Sequence, residues 1–455
     1  MKKFLIRFFL LFFIIVIFFL FFLSYFGLET NRFDNLIKEK ANNINQNVKL
    51  DFENTKIHLN ISELNLVVKL SEPRVLIKNS KFDLSKLNLF LSIKSFFNSD
   101  FLLERTEVTF IKNDIKDLTK ITNVFLPKII NRQFTKIFRK GYIDGEFIIP
   151  FEKDGSIGKN YGFAGKISDA TINLSKEFLI KDLTTEINHL AHEKRGDFFI
   201  SVKKGLLFDL DISGSTINLK QKKNKKSIKA LLNTKGKINY SKIKKIATLF
   251  STNINYFADI NGNADLKTTI NFDLNNKFKA ENISILTAGD IHHLAIETEE
   301  NKFVKKYLPE YNPKIILKDI KFKFTHFKSK QKLEIKGMIK ADKHFDNFEI
   351  IERYNNSKKT FDISGNIDLT NTKIRIPRLN YYKDYGKETD LSFDVNFLLN
   401  KYYNIKKLGL LTDKTRINLS DIKLNKNFET IDLKKVEIKT FFGELKNNDF
   451  VVDKS

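Results

Sequence analysis

The sequence contains no cysteine, which excludes disulfides, thiolate metal sites and cysteine nucleophiles. Tryptophan is absent, and there are only 2 methionines, 6 prolines and 18 glycines in 455 residues. With so few prolines, long stretches can stay regular without a breaker. Motifs that carry chemistry are missing as well. There is no G-x-G-x-x-G and no G-x-S-x-G, and His189-Leu-Ala-His192-Glu193 is neither H-E-x-x-H nor its inverted form. Two histidines three apart on a strand would point to opposite faces. The stretch Gly155 to Lys166 fails the phosphate-loop spacing, with Ile167 where Ser or Thr is needed. No catalytic residue, no metal and no cofactor is expected, and the chain does not read as an enzyme.

What is present is apolar and basic. Hydrophobic residues make up 42% and charged residues 29%, a balance that belongs to folded protein. Phenylalanine alone occurs 45 times. Lys and Arg number 79 against 54 Asp and Glu, a formal charge of +25. Such an excess fits an anionic partner, or an AT-rich genome that fills solvent faces with Lys. It is spread along the chain. The densest run, Lys220 to Lys229, reads as a hairpin loop between two strands. No basic-plus-aromatic strand motif points to nucleic acid.

Phe8 to Phe26 forms the longest apolar run, polar only at Ser24 and Tyr25. Its length matches the roughly 20 residues that a helix needs to cross a bilayer. Phe8, Phe12, Ile15, Phe19, Phe22 and Phe26 are read as membrane-anchor residues. Lys2, Lys3 and Arg7 precede the run, so the positive-inside rule puts residues 1–7 in the cytoplasm and the bulk outside it. A cleaved signal would have a shorter apolar region and a small-x-small site, which Tyr25-Phe26-Gly27 does not offer. Residues 27–47 carry Phe33, Leu36, Ile37 and Ile44 at the spacing of a short amphipathic helix.

From about Val48 the period becomes two. Ile57, Leu59 and Ile61 alternate with His58 and Asn60; Leu391, Phe393, Val395 and Phe397 alternate with Ser392, Asp394 and Asn396. Alternation of this kind predicts antiparallel strands with one apolar and one polar face. Strands are expected over 48–113 and 141–455. Helical inserts are expected at 114–140 (with Gly141 as the stop), at 241–250 with Ser241 as the cap, and at 299–308.

Four segments share an Ile-x-Gly pattern, at Ile212-Ser-Gly214, Ile260-Asn-Gly262, Ile335-Lys-Gly337 and Ile363-Ser-Gly365-Asn-Ile367. Each Gly has the parity of the apolar residues. Glycine there would let a sheet curl toward its apolar face, or leave space beneath it. The Gly-to-Gly spacings of 48, 75 and 28 are too irregular for a strict repeat.

The order of a transmembrane helix, a short helix, Val48-Lys-Leu-Asp-Phe52 and strands with Pro73 resembles the start of AsmA-like proteins. From Leu126, LPKIINRQFTKIFRKGYIDGEFIIPFEKDG, then FAGKISDATINL and LDISGSTINL, resemble the YhdP-like branch of the AsmA/TamB/YhdP group. The match covers about Lys2 to Phe250. The resemblance implies a mainly β fold, with an inner-membrane anchor and an elongated, curved antiparallel groove in the periplasm. It also implies phospholipid binding, with a part in lipid transport or outer-membrane lipid homeostasis. Under it, Ile212, Gly214, Ile260, Gly262, Ile335, Gly337, Ile363, Gly365 and Ile367 line the groove. Chains of the YhdP-like branch are usually much longer than this one. A different expectation is an assembly or scaffold factor that holds outer-membrane or periplasmic proteins by strand edges.

Overall fold

In the computed structural model the chain is mainly β, and every strand pairing among the described residues is antiparallel. The structure describes residues 2–31, 33–44, 48–77, 80–93, 102–117, 136–152, 154, 156, 158, 161–173, 178–189, 197–222, 225–249, 257–275, 279–300, 302–377, 381–398, 401–412, 415–427, 429–442 and 446–453. Helix α1 (Lys2–Tyr25) includes Arg7–Tyr25, which is long and apolar enough to cross a membrane. Phe26 lies in the turn that follows it.

Two units divide the chain, residues 1–207 with 216–223 and residues 208–215 with 224–455. The first contains β1 (Leu28–Glu29), α2 (Asp34–Ile44), β2 (Val48–Asp51), β3 (Thr55–Asn60), β4 (Asn65–Leu70), β5 (Arg74–Ile77), β6 (Ser80–Ser92), β7 (Leu103–Asp114), β8 (Phe138–Pro150), β9 (Gly162–Asn173), β10 (Leu179–His189) and β11 (Phe198–Leu207). The amphipathic helix is therefore shorter than 27–47, because Leu28 and Glu29 pair with Ile57 and Lys56 of β3 instead. Thr55 Oγ1 donates to Asp34 Oδ1 at 2.5 Å, which ties the start of α2 to the sheet. Strands β6 to β11 run as a meander whose core includes Phe110, Ile143, Ile167 and Leu183. Phe82, Phe110, Phe147 and Phe163 follow one another with ring centroids 5.2, 5.8 and 4.5 Å apart.

The helix expected over 114–140 is corrected at both ends. Asp114 closes β7, and Phe138 and Lys140 pair with Ile172 and Thr171 of β9, so the ladder captures them. Gly141, at φ 139°, is a kink inside β8 rather than a helix stop. Residues 118–135 lie outside the described residues. Gly165 and Lys166 sit in β9, in strand rather than in a turn.

The first unit also holds β13 (Thr216–Lys222), which pairs with β11, while in the second unit β12 (Leu210–Asp211) pairs with β14 (Lys225–Asn239). The basic run is therefore mostly strand, not loop. Helix α3 (Tyr240–Leu249) follows, capped by Asn239, whose Oδ1 accepts from the Lys242 amide at 3.0 Å; the expected cap, Ser241, is already helical. Then come β15 (Phe257–Leu274), β16 (Ala280–Thr298), α4 (Lys302–Tyr307), β17 (Lys314–Phe327), β18 (Lys330–Lys340), β19 (Asp346–Asn355) and β20 (Thr360–Asp368). A small hairpin, β21 (Ile374–Ile376) with β22 (Tyr381–Lys383), precedes β23 (Thr389–Leu398), β24 (Tyr402–Thr412), β25 (Thr415–Asn425), β26 (Thr430–Phe442) and β27 (Lys446–Asp453). From β14 onward each long strand pairs with the next, β20 passing directly to β23.

Candidate apolar binding face

Register decides which side chains share a face of the second unit. Phe322 pairs with Ile335, Ile335 with Ile350, Ile350 with Gly365, Gly365 with Phe393, Phe393 with Leu408, Leu408 with Leu419 and Leu419 with Val436. Partners directly opposite stand on the same side of a sheet. This row is therefore apolar over eight consecutive strands, β17 to β20 and β23 to β26, on the order of 35 Å at the usual strand spacing. A parallel row holds Gly337, Phe348, Ile367, Leu391, Leu410, Ile417 and Ile438. Near β15, Gly262 pairs with Ile238 and Leu294, Leu294 with Leu317, and Leu317 with Ile339, while Ile260 pairs with Ile296. Ala264, Ile291 and Ile320 form a buried cluster beside these rows, with Leu266, Phe322 and Ile335 packed on it.

Of the residues read from the sequence, Ile260, Gly262, Ile335, Gly337, Ile363, Gly365 and Ile367 thus share this face. Ile212 is buried at 2% exposure just after β12. Gly214 is not in a strand. It takes φ 75° in a turn, where Asp211 Oδ1 accepts from the Ser213 amide at 2.9 Å and Ser215 Oγ donates to the Ile212 carbonyl at 2.6 Å. The remaining glycines do not leave open space. A Cβ on Gly365 would lie 2.8 Å from the Phe393 ring, which covers it, and one on Gly337 would lie 3.0 Å from the Lys318 carbonyl.

Most of the two long rows, including Ile335, Ile350, Ile367, Phe393 and Leu419, is half-buried, as is Ile363 beside them. The inner face of a closed sandwich would be excluded from water more completely. The opposite face is polar, with Lys321, Lys336, Glu349 and Asn366 in register. Exposed ion pairs stud it, such as Lys321 with Asp290 at 2.6 Å and Lys406 with Asp362 at 3.0 Å, each worth about 0–1 kcal/mol.

Sequence reading missed two features of this face. The first is a set of left-handed residues inside strands, three of them at bulges. Asp319 and Asp421 take φ 51° inside β17 and β25, and the residues after them, Ile320 and Ile422, are buried. Asp169 and Asp182 do the same in the first unit before Ala170 and Leu183. The ladder register shifts at Asp319, Asp169 and Asp182, where a bulge bends the strand. At Asp421 the register with both neighbouring strands is unbroken, and the left-handed residue itself restores Ile422 to the inner face. The signal was the apolar spacing of three in Leu317-Lys-Asp-Ile320 and Leu419-Ser-Asp-Ile422, against two elsewhere.

The second is buried polarity. Lys383 is 1% exposed, and its Nζ donates to the carbonyls of Leu369, Thr370 (2.9 Å) and Thr372 (2.7 Å). Burial pushes its pKa below the usual lysine value, while nearby Asp346 and Asp368 oppose that. Burial likewise raises the Asp346 carboxyl, which accepts from Thr372 Oγ1 at 2.6 Å and the Asn371 amide at 2.8 Å. This arrangement fixes the β21–β22 hairpin. Glu352 stands on the apolar face itself, between Leu333 and Ile363, and desolvation raises its pKa.

No group of three His, Asp or Glu side chains able to hold a metal occurs among the described residues. His189 Nδ1 lies 2.9 Å from the Asp197 carbonyl, and its ring stacks on Phe198 at 4.1 Å; His192 lies outside the described residues. In α1, Phe8, Phe12, Ile15, Phe19 and Phe22 are exposed, as is Phe26 after it. The sequence matches no family model and no curated protein.

Proposed function

We propose that this protein is an AsmA-like, membrane-anchored lipid carrier of the bacterial envelope. In this role α1 crosses the inner membrane with its N-terminus in the cytoplasm. The β-sheet of the second unit lies in the periplasm and holds phospholipid acyl chains on its apolar face, contributing to lipid transport or outer-membrane lipid homeostasis. The observation that carries the proposal is the half-exposed apolar row from Phe322 to Val436. Leaving such a face in water costs about 25 cal/mol per Å², and acyl chains remove that cost without needing any fixed polar contact. A row with the same character on every strand also holds a chain equally well at each step, which suits movement along it more than storage at one point. Lysines at strand ends, such as Lys330 and Lys401, can meet lipid phosphates as point charges.

The test is lipid extraction from the full chain, purified in mild detergent. Co-purified phospholipid that falls when Ile335 or Ile363 is replaced by Asp supports the proposal. Lipid-free protein with bound protein clients would favour the strand-edge scaffold instead.

A further inference from the structure

Glu352 is the anomaly of the apolar face. Its register partners are Leu333 and Ile363, and the same-face residues two positions away on β19 are Ile350 and Tyr354. Arg353, the adjacent cation, pairs with Lys332 and Asp362 on the polar face. Glu352 has no ion pair and no hydrogen bond among the described residues. A carboxylate half out of water and without a counter-charge is costly, so the sheet alone gives no reason for it.

Beside it runs an aromatic series. Tyr354 and Phe361 have ring centroids 4.5 Å apart, Phe361 and Phe397 5.0 Å, and Phe397 and Tyr403 5.6 Å. These rings form the last inward row before the hairpin ends, since β19 stops at Asn355 and β20 starts at Thr360. A lone carboxylate beside aromatic rings is the chemistry that recognises an ammonium, by charge and by the ring quadrupole. The hairpin end is also where an amphiphile's head group reaches water while its tails lie along Ile350 and Phe348.

We propose that Glu352, with Tyr354 and Phe361, is a head-group site selecting lipids that carry an ammonium, as phosphoethanolamine-headed lipids do, over anionic ones. This rests on the lipid-carrying role proposed above. Binding of the ammonium gives the carboxylate its missing counter-charge, whereas a glycerol head group leaves it unneutralised beside a phosphate.

The full chain, purified in mild detergent, is equilibrated at pH 8 with an equimolar mixture of dioleoyl phosphatidylethanolamine and dioleoyl phosphatidylglycerol, and bound lipids are counted by native mass spectrometry. The expected result is about a tenfold preference for the ethanolamine lipid, the ratio that one modest ion pair gives. In Glu352→Gln and in Glu352→Leu the ratio should fall to near one with the total bound unchanged. Lipid bound without preference by the native chain, or a preference that survives Glu352→Gln, overturns the head-group site alone. No lipid bound from either component overturns the carrier role and this site with it.

Discussion

Gly365 faces Phe393 across the β20–β23 ladder, and the ring stands 2.8 Å from where a glycine Cβ would be. The ring uses the space that the missing side chain leaves, as aromatic residues do opposite glycine in sheets. A branched side chain cannot share that space. Gly365→Val should destabilise the chain by about 1–3 kcal/mol. In urea unfolding, Phe393→Ala combined with it should cost less than the sum of the two single changes, because part of the clash is with the ring, the rest being with the Glu349 carbonyl 2.6 Å from the same position.

The bulges yield a second prediction. A β-branched residue disfavours the left-handed region strongly, whereas Asp tolerates it and Gly is free there. Asp319→Val should therefore lower stability by about 1–2 kcal/mol, while Asp319→Gly should leave it nearly unchanged. Equal losses in both variants would show that the Asp side chain, not its backbone, matters.

The bulges also mark how far the sequence could be read. Period-two alternation made the strands, the antiparallel class and the parity of Ile335, Ile363 and Ile367 legible from residue order alone. It could not supply register, so the partners Ile350, Phe393 and Leu408 stayed hidden although each lies in an alternating segment. The Leu317–Ile320 and Leu419–Ile422 spacings were visible but stood as breaks between patterns. Gly214 misled because an Asx turn and a strand both accept Ile-Ser-Gly. At Phe138–Lys140 tertiary pairing with β9 overrode a good helical stripe. Lys383 and Glu352 were illegible, since nothing local distinguishes a buried charge from a solvated one.

Lys383 offers a third test. Replacing it with Met keeps the length but leaves the carbonyls of Leu369, Thr370 and Thr372 without their shared donor. The expected loss is about 2–4 kcal/mol, and limited proteolysis should open first between residues 369 and 389.

The pH dependence of stability follows from Glu352. Its folded pKa lies above the ordinary glutamate value because of desolvation, so the folded state holds the proton more tightly than the unfolded one. Stability from this group is full below the ordinary glutamate range and declines as pH rises through it to the raised value. The groups around it on that face are Leu333, Ile350, Ile363 and Tyr354. In lipid-free protein Glu352→Leu should therefore be more stable than the native chain at neutral pH, and the difference should shrink on acidification. Parallel pH curves for the two proteins would rule out a desolvated carboxyl.

The most direct test of the carrier role uses the alternation itself. A photo-crosslinking residue is placed in turn at Ile335, Ile350, Leu391 and Leu419, which share the apolar face, and at Lys336, Glu349, Ser392 and Ser420, which share the polar one. After irradiation in membranes, lipid adducts are scored for each position by mass spectrometry. A lipid-carrying apolar face gives adducts at the first four positions and none at their immediate neighbours. Adducts at neither set, or equally at both, would contradict it.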